Sequence, residues 1–224
     1  MVKKKTLLSW SSGKDSAWAL HLLRQDSTVD VAGIFSVVNE RFNRVSMHST
    51  RAELLFRQAE ASGLALHTIT IPDPCSNEQW NAIMGQFIAR SATRGVDCIA
   101  FGDLFLEDVR QYRERQMIGT GIVPLFPLWG LPTAELAEQM LACGVEAYVS
   151  SVDLKKLPAH LAGRRWSRDL LKELPSGVDP CGENGEIHTV VVGGPMFDER
   201  IQVEVGEVVD RNGFAYADII LENE

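Results

Sequence analysis

Six residues in a row, Ser11, Ser12, Gly13, Lys14, Asp15 and Ser16, separate a short apolar run from a helical one. A turn of small hydroxyl residues at a helix start offers backbone N–H groups and the positive end of the helix dipole, which together bind anions, phosphates above all. The spacing is not that of a GxxxxGK[ST] loop, and with Gly13 alone it is not GxGxxG either. Lys14 either pairs with a phosphate or points to solvent; Asp15 either caps the helix or serves the ligand. A second constellation is Cys181-Gly182-Glu183-Asn184-Gly185-Glu186. Its glycines let the backbone approach a ligand closely. Its two carboxylates, Glu183 and Glu186, could bind a cationic group or take a proton from an attacking amine. Between these lie Asp103, a carboxylate able to help hold a magnesium ion, and Arg110 and Arg113, able to neutralise charge on a transferring phosphate. His188 and Thr189 alternate along a strand, so at most one of them is expected to face the site.

These residues need a scaffold, and the patterning supplies one. Thr6–Trp10, Val29–Val38, Leu64–Ile71, Asp97–Gly102 and Ile122–Leu128 read as strands, the last irregular or at an edge because of Pro124 and Pro127. Between them Asp15–Arg24, Thr50–Gly63, a segment opened by Ser76 and Gln79, and Glu107–Gln116 read as helices. Thr50 and Glu53 have capping-box spacing, with Ala52, Leu55, Phe56 and Ala59 on one face. The fold expected is α/β: a mainly parallel, doubly wound sheet whose ligands bind at the carboxyl ends of its strands, where the strand order reverses. A smaller α+β unit follows. It holds a helix after Pro132 with Leu136, Met140 and Cys143 on one side, strands at Val145–Val149, Ile187–Val192, Ile201–Val209 and Phe214–Leu221, and a hairpin turn at Asp210–Gly213. The expected units are residues 1–129 and 130–224.

With 224 residues, 45% of them hydrophobic, the chain can bury a core without disulfides or metal. No apolar run approaches a bilayer span, and the basic start, residues 1–5, reads as the lead-in to a strand and not as a leader. Cys75, Cys98, Cys143 and Cys181 show no metal-ligand spacing, which suits free thiols in a reducing cytoplasm. Residues 1–129 carry 14 basic and 13 acidic side chains, whereas residues 130–224 carry 8 and 17. An acidic second unit argues against an extended nucleic acid as partner and suits a cationic substrate.

The order of residues in Ser11–Ser16, in its strand–loop–helix setting, resembles the S-G-G-x-D-S/T signature of the PP-loop ATPases, with Ser12 replacing a glycine. That exchange is tolerable if the position needs no positive φ. The resemblance narrows to the diphthine–ammonia ligase family through Met47-His48, Gly102-Asp103, Pro127-Leu128-Trp129, the run Cys181–Thr189 (close to C-G-E-G-G-E-[YF]-[EH]-T) and Gly194-Pro195-Met196-Phe197. One departure stands out: where that family has Y-Q-R-x-R-V-E, this chain has no Tyr-Gln pair at 108–109, so an acceptor other than diphthine is compatible with the sequence.

The resemblance implies a Rossmann-like nucleotide domain with ATP as substrate and Mg²⁺ as cofactor. It assigns ATP to Ser11, Ser12, Gly13, Lys14, Asp15, Ser16, Gly102 and His48, with Ser36 and Val37 offering backbone groups to adenine. Magnesium falls to Asp15 and Asp103, and catalysis to Asp103, Arg110, Glu183 and Glu186. The implied reaction is attack of a substrate carboxylate on the α-phosphorus of ATP, then displacement of AMP by ammonia to give an amide. Diphthine-bearing elongation factor 2 or another cationic carboxylate would be the acceptor; diphthine's trimethylammonium group matches the acidic second unit. A homo-oligomer is compatible with the sequence. The alternatives are a PP-loop enzyme acting on another acceptor, such as a tRNA base, and a non-catalytic adenine-nucleotide sensor.

Overall fold

The computed structural model describes residues 2–46 and 48–222; Met47, part of the family resemblance, lies outside the described residues. The first sheet is built from β1 (Lys4–Ser9), β2 (Val29–Asn39), β3 (Arg44–Val45), β4 (Leu66–Ile71), β5 (Cys98–Ala100) and β6 (Val123–Leu125). Its parallel strands run β4-β2-β1-β5-β6, and β3 adds two antiparallel residues to the tip of β2. From β1 the chain first builds outward on one side, to β2 and β4, then returns to build β5 and β6 on the other. The strand order therefore reverses between β1 and β5, which places the loops after both at the switch point.

Helices α1 (Lys14–Gln25) and α2 (Ala52–Ser62) cover one face, burying Trp18, Leu20, Leu54 and Leu55 against Leu8 and Ile34. Helices α3 (Asn77–Thr93) and α4 (Glu107–Met117) cover the other, burying Met84, Ile88 and Met117 against Leu7, Phe35 and Ile99. The doubly wound α/β expectation holds. The Ser76–Gln79 capping box forms with both of its hydrogen bonds.

The second sheet is antiparallel, in the order β8-β7-β10-β9, from β7 (Glu146–Asp153), β8 (Ile187–Gly193), β9 (Val203–Arg211) and β10 (Phe214–Leu221). Helices α5 (Thr133–Ala142) and α6 (Arg168–Glu173) flank it. One apolar cluster runs from Leu8 and Trp10 through Leu136 and Val149 to Ala215 and Ile219, so the two sheets share a core.

Three local readings need correction. Thr50 does not cap α2: the helix starts at Ala52 behind Arg51 with no side-chain cap, and Thr50 is buried. Tertiary bonds claim the segment first. The Thr50 carbonyl accepts from Val45, and the Arg51 guanidinium holds Asp218 of β10 at 2.7 Å. Phe56 is 53% exposed while Leu54 is buried, so the apolar stripe of α2 is rotated from the one expected. Cys143 ends α5 exposed, away from buried Leu136 and Met140.

Candidate active site

β8 is an edge strand of its own sheet, and its free edge lies against the Ser11–Ser16 loop. The Val191 N–H donates to the Ser12 carbonyl at 2.9 Å, and Thr189 Oγ1 accepts from the Lys14 N–H at 3.1 Å. Gln58, buried on α2, ties the seam: its Nε2 donates to the carbonyls of Ser12 (3.1 Å) and Val191 (2.7 Å), and its Oε1 accepts from Trp10 Nε1 (2.9 Å). The anion loop is thus held by residues of both sheets. Ser12 takes φ +69°, so the position does need the left-handed conformation, contrary to the expectation for a serine there. Gly13 precedes α1 without a side-chain cap, leaving first-turn N–H groups other than that of Lys14 to a ligand.

Gly102 follows β5 at van der Waals distance from α1: a Cβ there would stand 3.0 Å from the Ser16 nitrogen and 3.1 Å from the Asp15 carbonyl carbon. That close approach brings Asp103 beside Asp15. Glu183 arrives from the other module, its Oε1 accepting from the Leu104 N–H at 2.8 Å. Gly182 permits the turn that delivers it, since a Cβ there would lie 2.6 Å from the Ile187 carbonyl oxygen. Asp15, Asp103, Arg113, Glu183, His188 and Thr189 line one polar cavity with Ser11, Ser16, His48 and Gly102. A more apolar compartment adjoins it, sharing Ser9, Ser11, His48 and Arg113 and lined further by Ser36, Val37, Trp80 and Met84.

Burial raises the Asp15 carboxyl above its ordinary value, against the pull of Lys14. Burial also raises Asp103, against Arg113 and with the help of Asp15. Glu183 is pushed up to about 7 by burial, against the Leu104 N–H, with Asp15 and Asp103 adding to the rise. Three carboxyls that disfavour one another's charge, with Asp103 Oδ2 buried and lacking a hydrogen-bond partner among the described residues, form a site that a cation would relieve. Asp15 and Asp103 fit magnesium, which takes one or two carboxylates and completes its shell with phosphate oxygens and water.

Four sequence expectations change. Lys14 neither reaches solvent nor lines the cavity. It is 1% exposed, and its Nζ donates to Asp15 (2.9 Å) and to the Cys181 carbonyl (2.5 Å) beneath the Trp166 ring. Burial would lower its pKa, but Asp15, Cys181 and Asp179 outweigh that and keep it raised. Glu186 does not join Glu183: it is 1% exposed, held by Asn184 at 3.1 Å and Lys156 at 3.4 Å, outside the cavity. Arg110 lies one turn from the cavity, against Phe126 (4.9 Å) and Trp129 (4.7 Å), bonded to Glu114; Arg113 is the arginine that faces in. His188 and Thr189 both line the cavity, because it meets β8 along the strand's edge and not on one face. Gln58 was missed altogether, though a polar residue beside Leu54, Leu55 and Ala59 on a buried stripe is a signal for such a tie.

Among known proteins, residues 4–122 match the family model for the diphthamide synthase N-terminal domain and residues 132–220 that for the diphthamide synthase C-terminal domain. The chain belongs to the diphthamide synthase family. Its similar proteins include the diphthine–ammonia ligase of Bos taurus, 28% identical over 129 residues, 55% of this chain and 48% of that protein. That of Danio rerio is 29% identical over 129 residues, 55% of this chain and 51% of that protein. That of Rattus norvegicus is 32% identical over 101 residues, 43% and 38% of the two chains. The chain spans about half the length of the curated relatives it matches. In this family member the polar cavity is a composite, with the Ser11–Ser16 loop from one matched domain and Glu183, His188 and Thr189 from the other.

Proposed function

We propose that the chain is an ATP-dependent amide-forming ligase that cleaves ATP to AMP and pyrophosphate. The observation that carries this reading is the pair of joined compartments at the switch point, one polar and ringed by Ser11, Ser16, Asp15, Asp103 and Arg113, the other more apolar and bounded by Ser36, Val37 and Trp80. Adenine fits the second, within reach of the Ser36 and Val37 backbone, and the phosphates fit the first. Asp15 and Asp103 are the residues that would hold Mg²⁺, which would supply positive charge against the pyrophosphate leaving group. Arg113 and the α1 N-terminus add positive potential on the same side.

An acceptor carboxylate oxygen attacks the α-phosphorus, a P–O bond forms, and pyrophosphate leaves with the electron pair. Ammonium then gives a proton to the Glu183 carboxylate, which burial makes basic enough to accept it. The ammonia so formed bonds to the acyl carbon while the acyl C–O bond breaks, and AMP leaves with that electron pair and the second proton. The relatives named diphthine–ammonia ligase support ammonia as the nucleophile, and the acidic 130–224 segment suits a cationic acceptor such as diphthine-bearing elongation factor 2.

The test combines the protein with ATP, Mg²⁺, ammonium and candidate acceptors, including that factor, and follows nucleotide products and acceptor mass. AMP, pyrophosphate and an amidated acceptor are expected; ADP and phosphate would overturn the reading, and binding of ATP without any cleavage would make the chain a sensor. Asp15→Ala should abolish Mg²⁺-dependent ATP binding, measured by calorimetry. Unchanged affinity would leave Asp15 only a structural role at the helix start.

A further inference from the structure

We infer that His48 and His188 form the subsite that receives ammonia, an inference that rests on the amide-forming reading above. The two rings stand edge to face with centroids 4.6 Å apart, in the wall of the polar cavity. They come from different modules: His188 from β8 and His48 from the segment between β3 and α2. His48 Nδ1 is buried with no hydrogen-bond partner among the described residues. A polar atom left so costs stability unless a ligand or water meets it.

Their place decides what that ligand is. Ser9, Ser11, His48 and Arg113 are the residues at which the polar and apolar compartments meet. A nucleotide with its base against Val37 and its terminal phosphates on the Ser11–Ser16 loop lays its α-phosphate across this junction. An acyl group bonded to that phosphate presents its carbonyl carbon in the same place, so the nucleophile must arrive beside the two rings. Their chemistry selects the nucleophile. A neutral imidazole carries one nitrogen lone pair that accepts a hydrogen bond. Two such lone pairs can hold two N–H groups of ammonia and leave its own lone pair free to attack. Burial keeps the rings neutral: it pulls His188 down to about 4, aided by Lys14, and takes His48 well below its ordinary value, aided by His188 and Lys14. Neutral acceptors offer phosphate oxygens no charge, which separates this subsite from the phosphate-binding side formed by Arg113 and the α1 N-terminus.

The experiment observes the histidine ring nitrogens directly. The full chain, ¹⁵N-labelled at histidine, is titrated with ammonium chloride and, in parallel at equal ionic strength, with potassium chloride, a cation of similar size that donates no hydrogen bond. Both titrations are run with and without AMP. A saturating shift of the His48 and His188 nitrogens with ammonium, absent with potassium, is the expected result. His188→Asn should weaken the His48 response at least several-fold. In amidation assays the same variant should raise the KM for ammonium about tenfold while the KM for ATP moves far less. An equal response to both cations, a response that never saturates, or equal rises in both KM values would overturn the subsite. Failure of the ligase reading is seen separately, as ADP in place of AMP, whatever the ring nitrogens show.

Discussion

Ser12 is a residue under strain. Its φ of +69° is one that a side chain disfavours, and its buried hydroxyl makes no hydrogen bond to a described residue. Ser12→Gly should therefore raise stability by about 1 kcal/mol, read from urea unfolding; a lower stability would show that the hydroxyl does something the geometry does not reveal. Glu183 carries a cost of a different kind. Its folded pKa of about 7 lies above the ordinary 4.5, so the folded state holds a proton that the unfolded chain releases. Stability contributed by this group is present below pH 4.5 and is lost as pH rises through about 7. Glu183→Gln should match the parent in stability under acidic conditions, exceed it above neutral pH, and fail to form amide. A variant equally stable at every pH would mean that Glu183 is not the strained base proposed. The serine at position 12 was legible as part of a phosphate loop, but its backbone angle was not, because φ is imposed by bonds from β8 and α2 that lie far away in sequence.

At the scale of elements, α4 carries three arginines, and two of them, Arg110 and Arg113, are used differently. Arg113 lies over Phe101 at 4.9 Å with Asp103 at 3.7 Å, whereas Arg110 packs against the edge-to-face pair Phe126 and Trp129. Arg113→Gln should lower ATP turnover about 10²-fold, while Arg110→Gln should leave turnover near the parent's and lower stability by about 1 kcal/mol. Equal losses of turnover would mean that the helix reorients when ligand binds. Helix identity was readable from periodicity in α3, whose buried Met84, Ile88 and Ser91 recur at helical spacing. Which member of a like-charged pair turns inward depends on a rotation that Phe126 and Trp129 settle from another element. The same limit explains Glu183 and Glu186: i and i+3 spacing puts two carboxylates on one side only in a helix, and this segment is a glycine turn.

For the whole molecule, the two sheets, which fall on either side of the charge difference between residues 1–129 and 130–224, pack on one another. Their apolar core is continuous, and the Ser11–Ser16 loop is hydrogen-bonded to β8 through Ser12–Val191 and Lys14–Thr189. A fragment ending at residue 129 should expose apolar surface, bind a hydrophobic dye and show no measurable ATP affinity. A fragment that bound ATP normally would show the loop to be self-sufficient. The sequence revealed the parallel sheet, the switch-point loops and the position of the acidic unit. It could not reveal that the acidic unit completes the cavity, because each half satisfies its own local pattern and the contacts joining them are long-range.

The seam between the Ser11–Ser16 loop and β8 has one more consequence. A bare strand edge is a template on which other chains can pair and aggregate. In the second sheet one edge, β9, is exposed but bears Glu204, Glu207 and Asp210, whose charges repel a second copy. The other edge, β8, is mostly apolar, with Val190, Val191 and Val192 in succession, and it is the anion loop that covers it. The residues proposed to bind phosphate therefore also guard against self-association. A change that freed the loop would be expected to cost solubility along with catalysis, and the two losses would come from the same broken hydrogen bonds.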